Sequence, residues 1–110
     1  ARVLRRAGAL DQAAHMADEA VARGGGADAK RARGEIARAR GDKARALADY
    51  EALYEEVNDP AVRLELSKLY EHHVKTYGAA LELVLAGTGE SEEATAKRKA
   101  RLTRKIKRGR

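Results

Sequence analysis

The sequence predicts an all-α chain: an antiparallel helix-hairpin solenoid with a basic C-terminal capping helix. Three observations carry that prediction. Alanine supplies 24 of the 110 residues, and it is the best helix former because it has no side-chain entropy to lose. Apolar residues recur at helical spacing, through Ile36, Leu47, Tyr50, Leu53, Tyr54 and Val57 and again through Leu66, Leu69, Tyr70 and Val74. The chain also resembles itself at a shift of 33 residues, the period of a helical repeat.

The repeat is anchored on Gly followed by an Ala-rich run. Gly8-Ala9-Leu10-Asp11-Gln12-Ala13-Ala14 aligns with Gly41-Asp42-Lys43-Ala44-Arg45-Ala46-Leu47, and Ala80 of Tyr77-Gly78-Ala79-Ala80-Leu81 stands 34 residues after Ala46. Arg33-Gly34-Glu35-Ile36-Ala37 aligns with Leu66-Ser67-Lys68-Leu69-Tyr70, 33 apart. The expected helices cover about 1–7, 9–23, 28–40, 43–57, 60–74, 77–86 and 91–108. Asp28 and Asp59-Pro60 open first helices, Asp59 as a cap and Pro60 at the first helical position. Second helices open after Gly8, Gly41 and the Lys75-Thr76 corner, and Gly24-Gly25-Gly26 and Val57-Asn58 separate the units. Ala13, Ala46 and Ala80 recur at one place in the second helices, and Gly34 and Ser67 mark the matching close approach on the first. Residues 1–90 read as about two and a half repeats, and 91–110 as a basic terminal helix and tail. Residues 2–7 read as part of an incomplete hairpin, so Val3, Leu4 and Leu10 are expected to lie partly uncovered and to favour homo-oligomers.

This pattern resembles the tetratricopeptide (TPR) family over roughly residues 1–86. The family consensus places a small residue in the middle of the first helix, an aromatic three later, Gly near the corner, Ala in the second helix and an aromatic four later. Ser67 and Tyr70, then Gly34, Gly41, Ala46 and Tyr50, stand in those places, and Tyr77 and Ala80 fit the third unit. The chain departs from the consensus at Lys30 and Arg33, where large apolar residues are usual. One extra residue around His72-His73-Val74-Lys75 is similar to Sel1-like variants. The resemblance implies a partner groove lined by first helices, here Arg31, Glu35, Arg38, Leu64, Lys68, Glu71 and His72. The set is mixed in sign and lacks the Asn residues of a carboxylate clamp. A narrower stretch, LELSKLYEHHVKTYGAALELV followed by RKARLTRKIKR, resembles the C-terminal helical region of bacterial ribonuclease H-like exonuclease proteins. In that family the acidic metal ligands lie in another domain, which implies that this chain is a non-catalytic part.

The formal charge of +6 is unevenly placed. Nine of the 23 basic residues lie from Lys97 onward with no acid among them, so 97–110 carries +9 and 1–96 carries −3. Lys97, Arg98, Lys99, Arg101, Arg104, Lys105, Lys107 and Arg108 could meet phosphates, releasing counterions. No aromatic lies among them to stack on a base. The helix is self-consistent: Ser91 caps it, acids open it, bases close it, and Leu102 and Ile106 form a thin docking stripe with Thr95 near it.

Other candidate motifs yield to simpler readings. Arg40-Gly41-Asp42 spells an adhesion tripeptide, but it sits at a repeat corner where Asp42 can cap the next helix. His72-His73 point about 100° apart on a helix and do not share one metal, and His15 is isolated. Glu55-Glu56 reads as a solvated face and Glu92-Glu93 as a favourable first turn. Gly24-Gly25-Gly26 follows a helix, not a strand, so it is not a usual phosphate cradle. With no Cys, a disulfide scaffold is excluded, and no apolar run approaches the ~18 residues of a membrane helix. The expectation is a cytoplasmic, non-enzymatic scaffold without cofactor or metal and without membrane contact. Its expected partner is a protein or peptide; non-specific nucleic acid is the alternative.

Overall fold

The computed structural model describes the backbone of residues 2–109 and the side chains of residues 8–109. Its described residues form six α-helices and no strand: α1 (Arg2–Ala22), α2 (Gly26–Arg40), α3 (Lys43–Glu56), α4 (Pro60–Leu69), α5 (Tyr77–Ala86) and α6 (Glu92–Arg108). A π-helical turn, Tyr70–Val74, extends α4. The chain divides into two compact units, Ala1–Val57 and Asn58–Arg110, so α6 belongs with α4 and α5.

In the first unit α2 packs against both α1 and α3. The Arg-Gly-Asp corner is a helix stop followed at once by a helix start. Gly41 takes φ 78°, its N–H donates to Arg38 O, and Asp42 N–H donates to Ala37 O, which closes the last turn in a Schellman motif. Asp42 Oδ1 then accepts from Arg45 N at 3.1 Å to cap α3. Gly34 lets the hairpin close. A Cβ there would lie 3.3 Å from Asp49 Cβ and from Tyr50 Cε2. Ala37, Ala46, Tyr50 and Leu53 are buried around it, with Ala17 of α1.

Gly8 is not a corner. α1 runs through it without interruption, so the expected break between residues 7 and 9 is absent. The physical difference lies in the next residue. Gly41 is followed by Asp42, which caps, whereas Gly8 is followed by Ala9, which offers no acceptor. An isolated Gly costs a helix only about 1 kcal/mol relative to Ala. The start of α2 also differs: it begins at Gly26, placing Asp28 inside the first turn instead of at the cap. Leu10 is half-buried, and the expected uncovering of Val3 and Leu4 falls on side chains outside the described residues.

In the second unit α5 packs between α4 and α6. Asp59 Oδ1 caps α4 through Ala61 N at 2.9 Å, and Ser91 Oγ caps α6 through Ala94 N at 3.1 Å. Ser67 occupies the close-approach position, its Oγ donating to Ala80 O at 3.4 Å. Val62, Leu66, Ala80, Leu83, Val84 and Leu102 are buried, with Tyr70, Tyr77 and Leu81 packed beside the Ala80–Val84–Leu102 cluster.

The corners of the two hairpins differ by one residue. Asp42 N–H reaches Ala37 O in the first, and Thr76 N–H reaches Tyr70 O at 2.8 Å in the second. Tyr70 is 33 positions beyond Ala37, but Thr76 is 34 beyond Asp42. The added residue is absorbed in the π turn, which then exits through Lys75 at φ 61°. Val74, placed by its spacing on the apolar stripe, is instead 45% exposed, and Tyr54 is 46% exposed.

Candidate functional site

Two buried carboxylates organise the charged side chains, one in each unit. In the first, Asp49 of α3 is 1% exposed. Arg33 of α2 reaches its Oδ1 with Nε at 2.8 Å and Nη2 at 2.6 Å. Arg45 Nη2 binds Asp18 Oδ1 of α1 at 2.5 Å, and its Nε lies 3.7 Å from Asp49 Oδ2. Arg40 pairs with Asp11 at 2.8 Å. These side chains explain how α2 packs without the large apolar residues that its sequence lacks: Arg33 bonds inward and Lys30 pairs with Glu56. A cavity of about 110 Å³ is lined by Arg33, Arg40, Arg45, Asp18, Asp42 and alanines, its charges balanced by these pairs.

In the second unit Glu71, in the π turn, is also 1% exposed. Arg101 grips it with both prongs of its guanidinium, Nε to Oε2 at 2.6 Å and Nη2 to Oε1 at 2.8 Å. Lys105 Nζ adds a bond to Oε2 at 2.7 Å, and Arg98 and His72 approach Oε1 at 3.9 and 3.5 Å. The Arg101 hydrogen bonds hold the Glu71 carboxyl at about 2, below its ordinary 4.5; burial opposes the shift and Lys105 adds to it. Arg98 makes a two-pronged pair with Glu90 at 2.9 and 3.0 Å, which lowers that carboxyl as well. Lys105 also sits 5.5 Å from the centroid of the Tyr77 ring.

The residues expected in a partner groove therefore divide. On α2, Arg31 is half-buried and Glu35 and Arg38 are exposed; on α4, Leu64 and Lys68 are half-buried, and Lys68 lies 3.5 Å from Glu65. His72 is exposed. Glu71 is turned inward with both oxygens engaged, so it does not present a carboxylate to a partner.

The basic residues of α6 divide in the same way. Arg98, Arg101 and Lys105 flank the fully buried Leu102 and are taken by Glu71 and Glu90. Lys97 makes a surface pair with Glu93 at 3.3 Å. Arg104, Lys107 and Arg108 are exposed, and Lys99 is half-buried.

The chain matches no protein-family model, no curated protein and no solved structure. Among the described residues no helix is long and apolar enough to cross a membrane, and no group of three or more His, Cys, Asp or Glu is placed for a metal ion.

Sequence reasoning missed both carboxylate anchors. Asp49 lies three residues after Ala46 and Glu71 four after Ser67, each on the buried stripe of its helix. The legible signal was an acid on an apolar stripe facing a helix whose own stripe carries Arg, as Arg98, Leu102 and Lys105 do at i, i+4 and i+7.

Proposed function

We propose that this chain is a non-catalytic protein-interaction module built from TPR-like helix hairpins, serving as a scaffold region of a larger protein. The observation behind this reading is that each hairpin has a close approach at the same place on its first helix. Gly34 against Asp49 and Tyr50, and Ser67 against Ala80, are close approaches on first helices 33 residues apart. A hairpin that recurs with its close approach at the same first-helix position suits stacking and the display of helix faces to a partner.

The ligand in this reading is a protein or peptide segment of mixed charge. It lies along the outward face of α2, through Arg31, Glu35 and Arg38, or that of α4, through Leu64, Lys68 and His72. Such a face binds by complementary charges around a half-buried apolar contact, of which Leu64 is the candidate.

Selection from a displayed peptide library against the whole 110-residue chain, followed by calorimetric titration of the selected peptide, tests the proposal. Glu35→Lys or Lys68→Glu should weaken binding by about tenfold or more, with helical content unchanged. If no peptide is selected, or if affinity ignores both reversals, the reading is wrong.

A further inference from the structure

The second unit carries most of the formal charge: 12 basic and seven acidic residues over 58–110 give +5, against +1 over 1–57. Packing sorts those cations. The acids at 71 and 90 neutralise Arg98, Arg101 and Lys105 on the side of α6 that meets α5. On the outer side Arg104, Lys107 and Arg108 have no carboxylate partner among the described residues, and Lys97 has only its surface pair with Glu93. No acidic residue occurs after Glu93, so nothing on the last turns of α6 offsets this face.

We infer that the outer face of α6 is a docking surface for the phosphate backbone of duplex nucleic acid, contacted by Lys97, Arg104, Lys107 and Arg108. Lys97, Arg104 and Arg108 stand at i, i+7 and i+11, one stripe of the helix. At 1.5 Å per residue the stripe is about 16 Å long, the run of about five phosphates along one duplex strand. Bases are not read. α6 has no aromatic residue, and the Tyr77 ring beside it is faced by Lys105. A lipid surface fits less well, because interfacial helices bury an apolar face in the bilayer. The two large apolar residues of α6 are covered, Leu102 fully buried and Ile106 half-buried.

The sorted charges give this surface a number. Four phosphate contacts correspond to a slope of log affinity against log salt of about −3.6, or a loss of about 150-fold between 50 and 200 mM salt. If α6 came away and spent all eight cations from Lys97 to Arg108, the slope would be about −7 and the loss about 20,000-fold. The experiment is fluorescence anisotropy of a labelled 20-base-pair duplex of arbitrary sequence with the whole chain, across that salt range. A slope near −4 is expected. The triple reversal Arg104→Glu, Lys107→Glu and Arg108→Glu should abolish binding, while Arg23→Glu, Lys43→Glu and Lys75→Glu together, an equal charge change on other exposed positions, should leave most of it. Helical content by circular dichroism accompanies both variants, and the salt slope of the unaltered chain stands independently of them. Absence of duplex binding, a slope near −7, equal losses in the two triple variants, or binding to phosphatidylserine vesicles or polyglutamate in place of the duplex would each overturn the inference.

Discussion

Replacing the buried ion pair of the first unit with the residues found at the same places in the second should leave the fold at least as stable. Arg33 and Asp49 align with Leu66 and Leu83, at shifts of 33 and 34. Those leucines are 1% and 6% exposed, and Asp49 is 1% exposed, so one hairpin closes on charge where the other closes on hydrocarbon. Asp49 Oδ1 takes two bonds from Arg33, but Oδ2 is buried and has no hydrogen-bond donor among the described residues. The pair thus recovers only part of what desolvating the carboxylate costs. Arg33→Leu alone strands that carboxylate and should cost about 3–5 kcal/mol. Asp49→Leu alone should cost less, about 1–3 kcal/mol, because the Arg33 side chain keeps 21% exposure and lies 3.7 Å from Asp18. Arg33→Leu with Asp49→Leu should be neutral or stabilising, by up to about 4 kcal/mol. Urea unfolding followed by circular dichroism measures all three against the parent, and the double-mutant cycle gives the coupling. A double variant as unstable as the sum of the singles would refute the equivalence of the two positions.

Three further substitutions probe other joints of the fold. Glu71 is held at about 2, below its ordinary 4.5, so its contribution is fully present above the ordinary value and is lost as pH falls through the folded one. That contribution is on the order of 3 kcal/mol. Thermal melts of the parent and of Glu71→Gln should therefore converge between pH 4.5 and 2; curves that stay parallel would contradict the clamp. Gly8→Ala should stabilise by roughly 0.5–1 kcal/mol, since a Cβ there meets nothing within 4 Å among the described residues and the helix is continuous. Gly34→Ala should destabilise, because crowding against Asp49 Cβ and Tyr50 at 3.3 Å costs about 1–3 kcal/mol and outweighs the gain in helix propensity. Thermal melts that reverse either sign would show that the two glycines have been assigned the wrong roles.

What the sequence made legible was local. Gly41-Asp42, Asp59-Pro60 and Ser91 mark their boundaries because capping needs only the residue itself and a neighbour two or three positions on. The extra residue near His72 could be counted from the repeat, although its absorption in a π turn could not. Gly8 misled because repeat alignment records the glycine and not the missing cap after it. The anchors were hidden for a different reason. A lone Asp or Glu among apolar positions is usually a solvated side chain, and only the distant Arg33 or Arg101, 16 and 30 residues away, makes burial tolerable. The eight cations of α6 looked alike in sequence, because which face meets α5 is decided by Leu102 and by the position of Glu71 on another element.

Closure of the hairpins at first-helix positions one repeat apart is tested most directly by nuclear Overhauser spectroscopy on the labelled chain. Cross-peaks are expected between Gly34 Hα and the Tyr50 ring, whose Cε2 lies 3.3 Å from the Cβ position of Gly34, and between the Ser67 side chain and Ala80, joined at 3.4 Å. If both contacts are missing while the helices are formed, Gly34 and Ser67 do not close the hairpins and the interaction-module reading falls with them.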